Sequence, residues 1–267
     1  MPGLRAIGCM LLALTLALSL TSCVHLPGGP TASLLPVAQE VRARLESRQQ
    51  AVYSLVLSGE VELVAPQGTL NGDHLIIGQA PDRLRAEVMG PFGQPLLRVV
   101  TDGERMAVLS YRENRAYIGH ASRANLSRFL GLAMSPGEIF ALLAGCPPML
   151  PATVKAEVMP SDSGEGKALL RLLEPGGQVS EGVLFSTSDY AVERAWLESR
   201  GSGPSLEMEF GNFQAALGSR YPGRLKAKDG QGRSLLLISQ EVKLNTKVDP
   251  ALFEVSVPPG LEVVKLP

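Results

Sequence analysis

Residues 53–63, Tyr-Ser-Leu-Val-Leu-Ser-Gly-Glu-Val-Glu-Leu, alternate between apolar or small side chains and polar ones. Successive side chains of a β-strand point to opposite faces, so this alternation places one set of residues in a core and the other in water. The buried set is Leu55, Leu57, Gly59, Val61 and Leu63, and the wet set is Ser54, Ser58, Glu60 and Glu62. The stretch predicts a strand that is buried on one face.

Similar strand-like runs recur along most of the chain. They cover 84–88, 96–101, 104–111, 167–173, 178–185, 192–199, 206–213, 224–227, 234–244 and 253–257. Short connections such as Asp102-Gly103 join several of them, and parallel neighbours would need much longer crossovers. The sequence therefore predicts a mainly β (α+β) fold, an unclosed antiparallel half-barrel of about eleven strands, because so many strands curl rather than stay flat.

Two helical regions are expected beside this sheet. Val37, Ala38, Val41 and Leu45 have the spacing of an amphipathic helix. A second region, 122–144, contains Ser135-Pro136-Gly137-Glu138, a capping box that starts a helix. We expect these helices to form a lid over the concave apolar face. The space beneath the lid then holds a long hydrophobic ligand or is filled by interdigitated side chains, and the sequence leaves both open.

The N-terminus has the organisation of a secretory signal. Arg5 precedes the uncharged run 7–20, which is shorter than the roughly 20 residues a membrane-spanning helix needs. Leu20-Thr21-Ser22-Cys23 follows and resembles the lipobox of bacterial lipoproteins. This resemblance implies that 1–22 are a lipoprotein signal peptide and that Cys23 carries the lipid. Residues 23–36 are then a lipidated, flexible tether, rich in proline and glycine, and 37–267 are a single domain.

Composition and motifs argue against several other functions. The net charge is −1 at pH 7, which gives no basic surface for nucleic acid. No serine-hydrolase, zinc-protease or Cys-x-x-Cys pattern is present, and the three histidines are isolated in the sequence. Cys146 has no expected disulfide partner and is predicted to be buried at a packed corner. We expect no catalysis, no metal and no cofactor.

The order of these features resembles a known family. It is similar to LolB, the outer-membrane lipoprotein receptor of Gram-negative bacteria. The features that carry the resemblance are, in order, the lipobox, the opening helix, the strand 53–63, the Arg83-Leu84-Arg85 strand, the hairpin Gly90-Pro91-Phe92-Gly93 and the helical stretch 126–148. The residues after Leu244 extend beyond the LolB-like part of the chain. The ending 249–260 is more like other members of the LolA and LolB superfamily.

The resemblance implies a function and its partners. The protein would be a monomer anchored through Cys23 in the inner leaflet of the outer membrane, facing the periplasm; Val24 in place of aspartate favours that membrane. It would accept acylated lipoproteins from a LolA-like periplasmic carrier and insert them into the outer membrane. The hairpin Gly90, Pro91, Phe92 and Gly93 would be the membrane-insertion element. The alternative is a lipid-binding sensor or scaffold lipoprotein of the envelope, without transfer activity.

The acyl chains would contact residues on the concave strand face and on the lid. The candidates are Tyr53, Leu55, Leu57, Leu84, Ala86, Val88, Phe129, Leu132, Ile139, Phe140, Leu143 and Trp196. Each of them also fits an ordinary core position, and periodicity alone does not separate the two roles.

Overall fold

The computed structural model describes residues 36–65, 68–150, 154–174, 179–198 and 206–267, with the backbone alone at 179–180. Leu35–Pro267 forms one compact unit. The signal peptide, Cys23 and most of the tether lie outside the described residues, so the expectations for them stay predictions.

The described residues form three α-helices, one 3₁₀ turn and fourteen strands. The helices are α1 (Ala38–Gln50), α2 (Arg123–Leu130) and α3 (Pro136–Leu143), and the 3₁₀ turn is Pro250–Phe253. The first strands are β1 (Ser54–Ala65), β2 (Gly68–Gln79), β3 (Arg83–Met89), β4 (Pro95–Thr101), β5 (Arg105–Ser110) and β6 (Arg115–His120). The later strands are β7 (Lys155–Pro160), β8 (Lys167–Leu173), β9 (Val179–Ser186), β10 (Val192–Leu197), β11 (Leu206–Ala216), β12 (Ser219–Asp229), β13 (Ser234–Leu244) and β14 (Glu262–Lys265).

All fourteen described strands belong to one sheet with the order β14-β6-β5-β4-β3-β2-β1-β13-β12-β11-β10-β9-β8-β7. Two antiparallel meanders, β1–β6 and β7–β13, join where β1 pairs with β13. The edge strands β14 and β7 are not neighbours, so the sheet is open. The predicted mainly β, unclosed sheet with helices is confirmed.

The strand assignments need four additions and one correction. The sequence did not indicate β2, β6, β7 or β14, and β14 pairs with β6 in parallel, so the sheet is not wholly antiparallel. The predicted strand at 253–257 is wrong. Residues 254–257 have no regular structure, and Phe253 ends the 3₁₀ turn, which Asp249 caps by accepting from the Ala251 N–H at 3.0 Å and which Pro250 at its first position favours.

Alternation sets the two faces of the sheet. In β1, Leu55, Leu57, Val61 and Leu63 are buried at 0–7% exposure. Leu55, Leu57 and Val61 join residues of β2, β3, β8 and β9 in one large apolar cluster beneath the helices. Glu60 and Glu62 of β1 are exposed on the opposite face. We call these the inner and outer faces of the sheet.

The helices cover the inner face. Val41 and Leu45 of α1 are at most 1% exposed. Arg48 ties the end of α1 to the sheet by donating to the carbonyl oxygens of Asp189 at 3.1 Å and Arg220 at 2.7 Å. Helices α2 and α3 cover the other half, where α2 contacts β1 and α3 contacts β3. The lid therefore has one part over each half of the sheet.

The capping box of α3 is present as predicted. The Ser135 hydroxyl accepts from the Glu138 N–H at 3.4 Å, and the Glu138 carboxylate accepts from the Ser135 N–H at 2.7 Å. Together these bonds satisfy two backbone donors at the start of the helix. They fix the position from which α3 enters the lid.

We expect Ser135→Ala to lower the free energy of unfolding by about 1 kcal/mol, because the cap is lost and the Glu138 N–H is left without its partner. Ser127→Ala is the control, since Ser127 is half-buried within α2 and donates to the Ala124 carbonyl of its own helix, and the change should alter stability by less than about 0.5 kcal/mol. Urea denaturation of both variants measures the difference. Equal stabilities would show that the box does not hold the lid.

Candidate functional site

A closed apolar cavity of about 80 Å³ lies between the inner face and the lid. Its floor comes from β1–β4 and β13, and its roof is formed by Leu126 and Leu130 of α2 with Ile139 and Leu143 of α3. Ligand pockets in proteins usually have about 300–1,000 Å³, so this cavity does not admit a long ligand as it stands. The roof side chains fill most of the groove.

An open pocket of about 420 Å³ adjoins this cavity. Leu63 of β1 and Leu97 of β4 line both spaces, so the two adjoin and share part of their apolar lining. The open pocket also carries Arg112, Glu113 and Arg128 at its rim. It is therefore polar outside and apolar where it meets the closed cavity, a gradient that suits an amphipathic ligand.

Strand register divides the floor of the cavity into three rows along β2, β3 and β4. The deepest row is Gly78, Leu84 and Thr101, followed by Ile76, Ala86 and Val99, and the row nearest the open pocket is His74, Val88 and Leu97. Adjacent rows are two residues apart along each strand, which corresponds to about 7 Å. The floor thus runs for about 13 Å along β4, from Leu97 to Thr101.

The hairpin 90–94 lies at the same end of the sheet as the open pocket. Gly90 donates its N–H to the Gln94 carbonyl at 2.8 Å, and Gly93 donates to Gly90 at 2.9 Å. Gly93 has φ 74°, which an L-residue rarely adopts. Phe92 between them is 94% exposed. An aromatic ring left in water forfeits about 1.5–3 kcal/mol of burial energy, so this tip has a strong tendency to enter an apolar phase.

The structure places the predicted cavity residues in several environments. Leu84, Ala86, Val88, Ile139 and Leu143 line the closed cavity, and Phe129 lines the open pocket. Leu55, Leu57, Leu132 and Phe140 are buried in the main core, at 0–3% exposure. Contact of any of these residues with lipid stays a prediction.

Two of the predicted cavity residues face elsewhere. Tyr53 is 56% exposed at the far end of the sheet, where its hydroxyl donates to the Asn245 carbonyl at 2.6 Å. Trp196 lies on the outer face, because the buried Ala195 next to it takes the inner one. Its indole covers Gly182, where a Cβ would come within 2.1 Å of the ring. Neither residue lines the cavity.

Sequence reasoning did not single out several lining residues. They include Val61, Leu63, His74, Ile76, Leu97, Val99, Leu126 and Leu130. Alternation in β1 marked Val61 and Leu63 as inward, but as core, and Leu97 and Val99 were placed only within the strand-like run 96–101. His74 and Ile76 lie on β2, which was not recognised as a strand, so only the register of β2 with β1 reveals them.

Other chemical features of the described residues are few. Cys146 is buried and free, as predicted, and burial raises the pKa of its thiol to about 11. Within the described ranges no group of three His, Cys, Asp or Glu side chains is placed to hold a metal ion. No helix among the described residues is both long and apolar enough to cross a membrane.

Comparison with known proteins identifies the fold. No family model matches the sequence, and no curated protein matches it. A solved domain assigned to outer-membrane lipoprotein sorting, from Vibrio parahaemolyticus, has a TM-score of 0.52 at 11% identity, covering 81% of this chain and 95% of its own. A LolA superfamily protein from Nitrosomonas europaea has a TM-score of 0.52 at 15% identity, covering 82% and 98%.

A third solved structure, a DUF1329 family protein from Desulfovibrio piger, has a TM-score of 0.54 at 10% identity and covers 82% of this chain and 98% of its own. In each case the likeness spans nearly all of the solved chain and most of residues 36–267. At these identities it concerns the backbone architecture. The chain shares its backbone fold with these three solved proteins.

Proposed function

We propose that this protein is a LolB-like envelope lipoprotein that accepts acylated lipoproteins from a LolA-like periplasmic carrier and inserts them into the outer membrane of a Gram-negative bacterium. Cys23 would anchor it by a covalent lipid, 23–36 would be the tether, and 37–267 would be one lipid-binding domain. The protein would act as a monomer without enzymatic chemistry, metal or cofactor.

One observation carries this proposal: the exposed Phe92 tip and the open pocket share one end of the sheet. A tether of 23–36 would keep the domain close to the membrane surface. If Phe92 enters the bilayer, the mouth of the open pocket comes close to the same surface. Cargo leaving the pocket could then pass into lipid without long exposure of its acyl chains to water.

Acceptance of an acyl chain requires the lid to move. Leu126, Leu130, Ile139 and Leu143 occupy the groove above the floor rows. An incoming chain replaces these apolar contacts with others of the same kind, so the exchange needs little net free energy. The left-handed Gly131, φ 70°, directly after α2 is a natural hinge for the movement.

A second candidate function is a sensor or scaffold lipoprotein that binds lipid without transferring it. The small volume of the closed cavity favours the scaffold form of this alternative, because about 80 Å³ holds only a fraction of an acyl chain. The two functions differ in whether cargo leaves. A receptor must both take up an acylated lipoprotein and release it into a membrane.

We expect Phe92→Glu to reduce insertion of cargo into vesicles by about tenfold or more, because a carboxylate at the tip cannot enter the bilayer. The assay mixes a LolA-type carrier loaded with acylated lipoprotein, the Cys23→Ala protein and vesicles of outer-membrane lipid. Native mass spectrometry measures cargo on the protein, and vesicle flotation measures delivery. Uptake onto the protein should be unchanged in Phe92→Glu.

The matched control is Leu217→Glu. Leu217 is 52% exposed in the β11–β12 turn at the opposite end of the sheet, and its replacement should leave delivery intact. Equal delivery by Phe92→Glu and the parent would remove the tip from the mechanism. A folded parent protein that never acquires cargo would favour the sensor or scaffold.

A further inference from the structure

His74 is a buried polar side chain without a hydrogen bond of normal geometry. It is 2% exposed, and neither Nδ1 nor Nε2 has a well-aligned partner among the described residues, although the backbone of Glu60 lies close to the ring. A buried donor or acceptor without a partner destabilises a fold, so such groups are rare and need an explanation. The ring lies against the closed cavity, in the row nearest the open pocket.

The rest of the cavity lining offers His74 no polar partner. The Thr101 hydroxyl, two rows deeper, already accepts from the Gly103 N–H at 3.0 Å. The Glu87 carboxylate is bound to Arg85 at 2.9 Å and paired with Arg98 at 2.8 Å. The remaining side chains of the described lining are aliphatic. Among these residues His74 alone presents a free polar group to the cavity.

The chemistry of the ring limits what it can bind. Burial is the largest influence on His74 and lowers its pKa, against the opposing effects of the Glu60 backbone and the Asp73 carboxylate. The imidazole is therefore neutral at neutral pH, with one N–H donor and one nitrogen acceptor. An uncharged ring in an apolar cavity suits a neutral carbonyl better than a phosphate or another anion.

We propose that His74 donates a hydrogen bond to the carbonyl oxygen of a bound acyl group. The hydrocarbon tail then lies along the row of Ile76, Ala86 and Val99, and the polar remainder of the lipid occupies the open pocket, which Arg112 lines. This inference rests on lipid binding in the proposed function and defines the register of the ligand. Ester-linked and amide-linked chains share the required carbonyl.

The test uses the full chain with three C16-class probes delivered from cyclodextrin: methyl palmitate, N-methylpalmitamide and heptadecane. We expect the two carbonyl probes to bind about tenfold more tightly than the alkane, the effect of one buried hydrogen bond. In ¹⁵N-histidine spectra the His74 N–H signal should shift with the carbonyl probes alone. The amide probe should exceed the ester if its N–H also reaches the second ring nitrogen.

His74→Phe should abolish the preference for carbonyl probes while retaining the alkane, and it should raise the urea midpoint of the empty protein because an unsatisfied group is removed. His74→Gln, which keeps a donor and an acceptor, should retain the preference. His120→Phe, a change at an exposed histidine of β6, should match the parent.

Equal affinity of the parent for ester, amide and alkane would overturn the role of His74 while leaving lipid binding intact. A carbonyl preference that persists in His74→Phe would overturn it as well. Failure of all three probes to bind the folded parent would instead contradict lipid binding itself, and with it the proposed function. The histidine spectra of the parent decide the question even if His74→Phe does not fold.

Discussion

Replacing Phe253 with alanine is expected to lower the free energy of unfolding by about 3–5 kcal/mol, the usual range for removal of a fully buried aromatic side chain. Phe253 is 2% exposed. It ends the 3₁₀ turn Pro250–Phe253, which contacts β3 rather than the lid. The large effect follows because this turn covers part of the sheet that no helix reaches.

The position of the turn shows which face it covers. Arg85, on the outer face of β3, donates to the Leu252 carbonyl at 3.3 Å. Its neighbours across the sheet, Ile77 and Val100, are apolar and at most 9% exposed. Outer-face residues of a sheet that is covered on one face would be exposed to water, but these two are buried. We therefore infer that the segment after Leu244 shields them. The C-terminal extension is thus part of the folded domain.

Urea denaturation followed by tryptophan fluorescence measures the loss in Phe253→Ala. Val263→Ala is the control, since Val263 is 52% exposed and should change stability by less than about 0.5 kcal/mol. If Phe253→Ala unfolds at the same urea concentration as the parent, the extension contributes nothing to the core. The apolar outer face would then need another cover.

The sequence predicted the elements that are determined by interactions between residues close together in the chain. The alternation in 53–63 marked β1 because its inner and outer residues differ sharply in polarity. The capping box marked α3 because two reciprocal hydrogen bonds are encoded within four residues. Both patterns depend only on neighbours in the chain.

Other elements depend on partners far away in the sequence. β2 carries Gly68, Asn71, Gly72 and Asp73, which disfavour a strand, yet it pairs with β1 along its whole length. β14 has four residues and forms only because β6 offers a free edge. For the same reason His74 gave no signal, since its burial is set by Gly59 and Val88 on the flanking strands.

The two halves of the inner face differ in how completely they are filled. Beneath α1, Leu170, Leu172, Val183 and Phe185 of β8 and β9 are fully buried. Beneath α2 and α3 the closed cavity persists. The proposed binding site is therefore confined to the half made of β1–β4 and β13. The other half is a structural core, and it contains the buried carboxyl group of Glu181.

Glu181→Gln is expected to gain stability relative to the parent as the pH rises. The difference in free energy of unfolding, variant minus parent, should be about 3 kcal/mol larger at pH 8 than at pH 4. Glu181 is 0% exposed on the inner face of β9. Burial raises its pKa from 4.5 to about 7, against the weaker effects of the Leu150 N–H and of Arg42. The folded protein therefore holds this proton more tightly than the unfolded chain does.

The direction of the pH dependence follows from that shift. Below about pH 4.5 the carboxyl is protonated in both states, and its contribution to stability is fully present. As the pH rises through about 7, the unfolded chain is already ionised while the folded one must bury a charge, so the contribution is lost. Glutamine cannot ionise, and its oxygen can still accept from the Leu150 N–H, a bond of 2.8 Å in the parent.

Urea curves between pH 4 and pH 8.5 give the free energies of unfolding of the parent and of Glu181→Gln. The difference, variant minus parent, should grow with pH and level off above about 8. Subtracting the two curves removes the titration of other groups. Glu62→Gln, a change at an exposed glutamate of β1, should give a flat difference. A flat difference for Glu181→Gln would mean that Arg42, 8% exposed and bound to the Leu150 carbonyl at 2.9 Å, stabilises the ionised carboxylate fully.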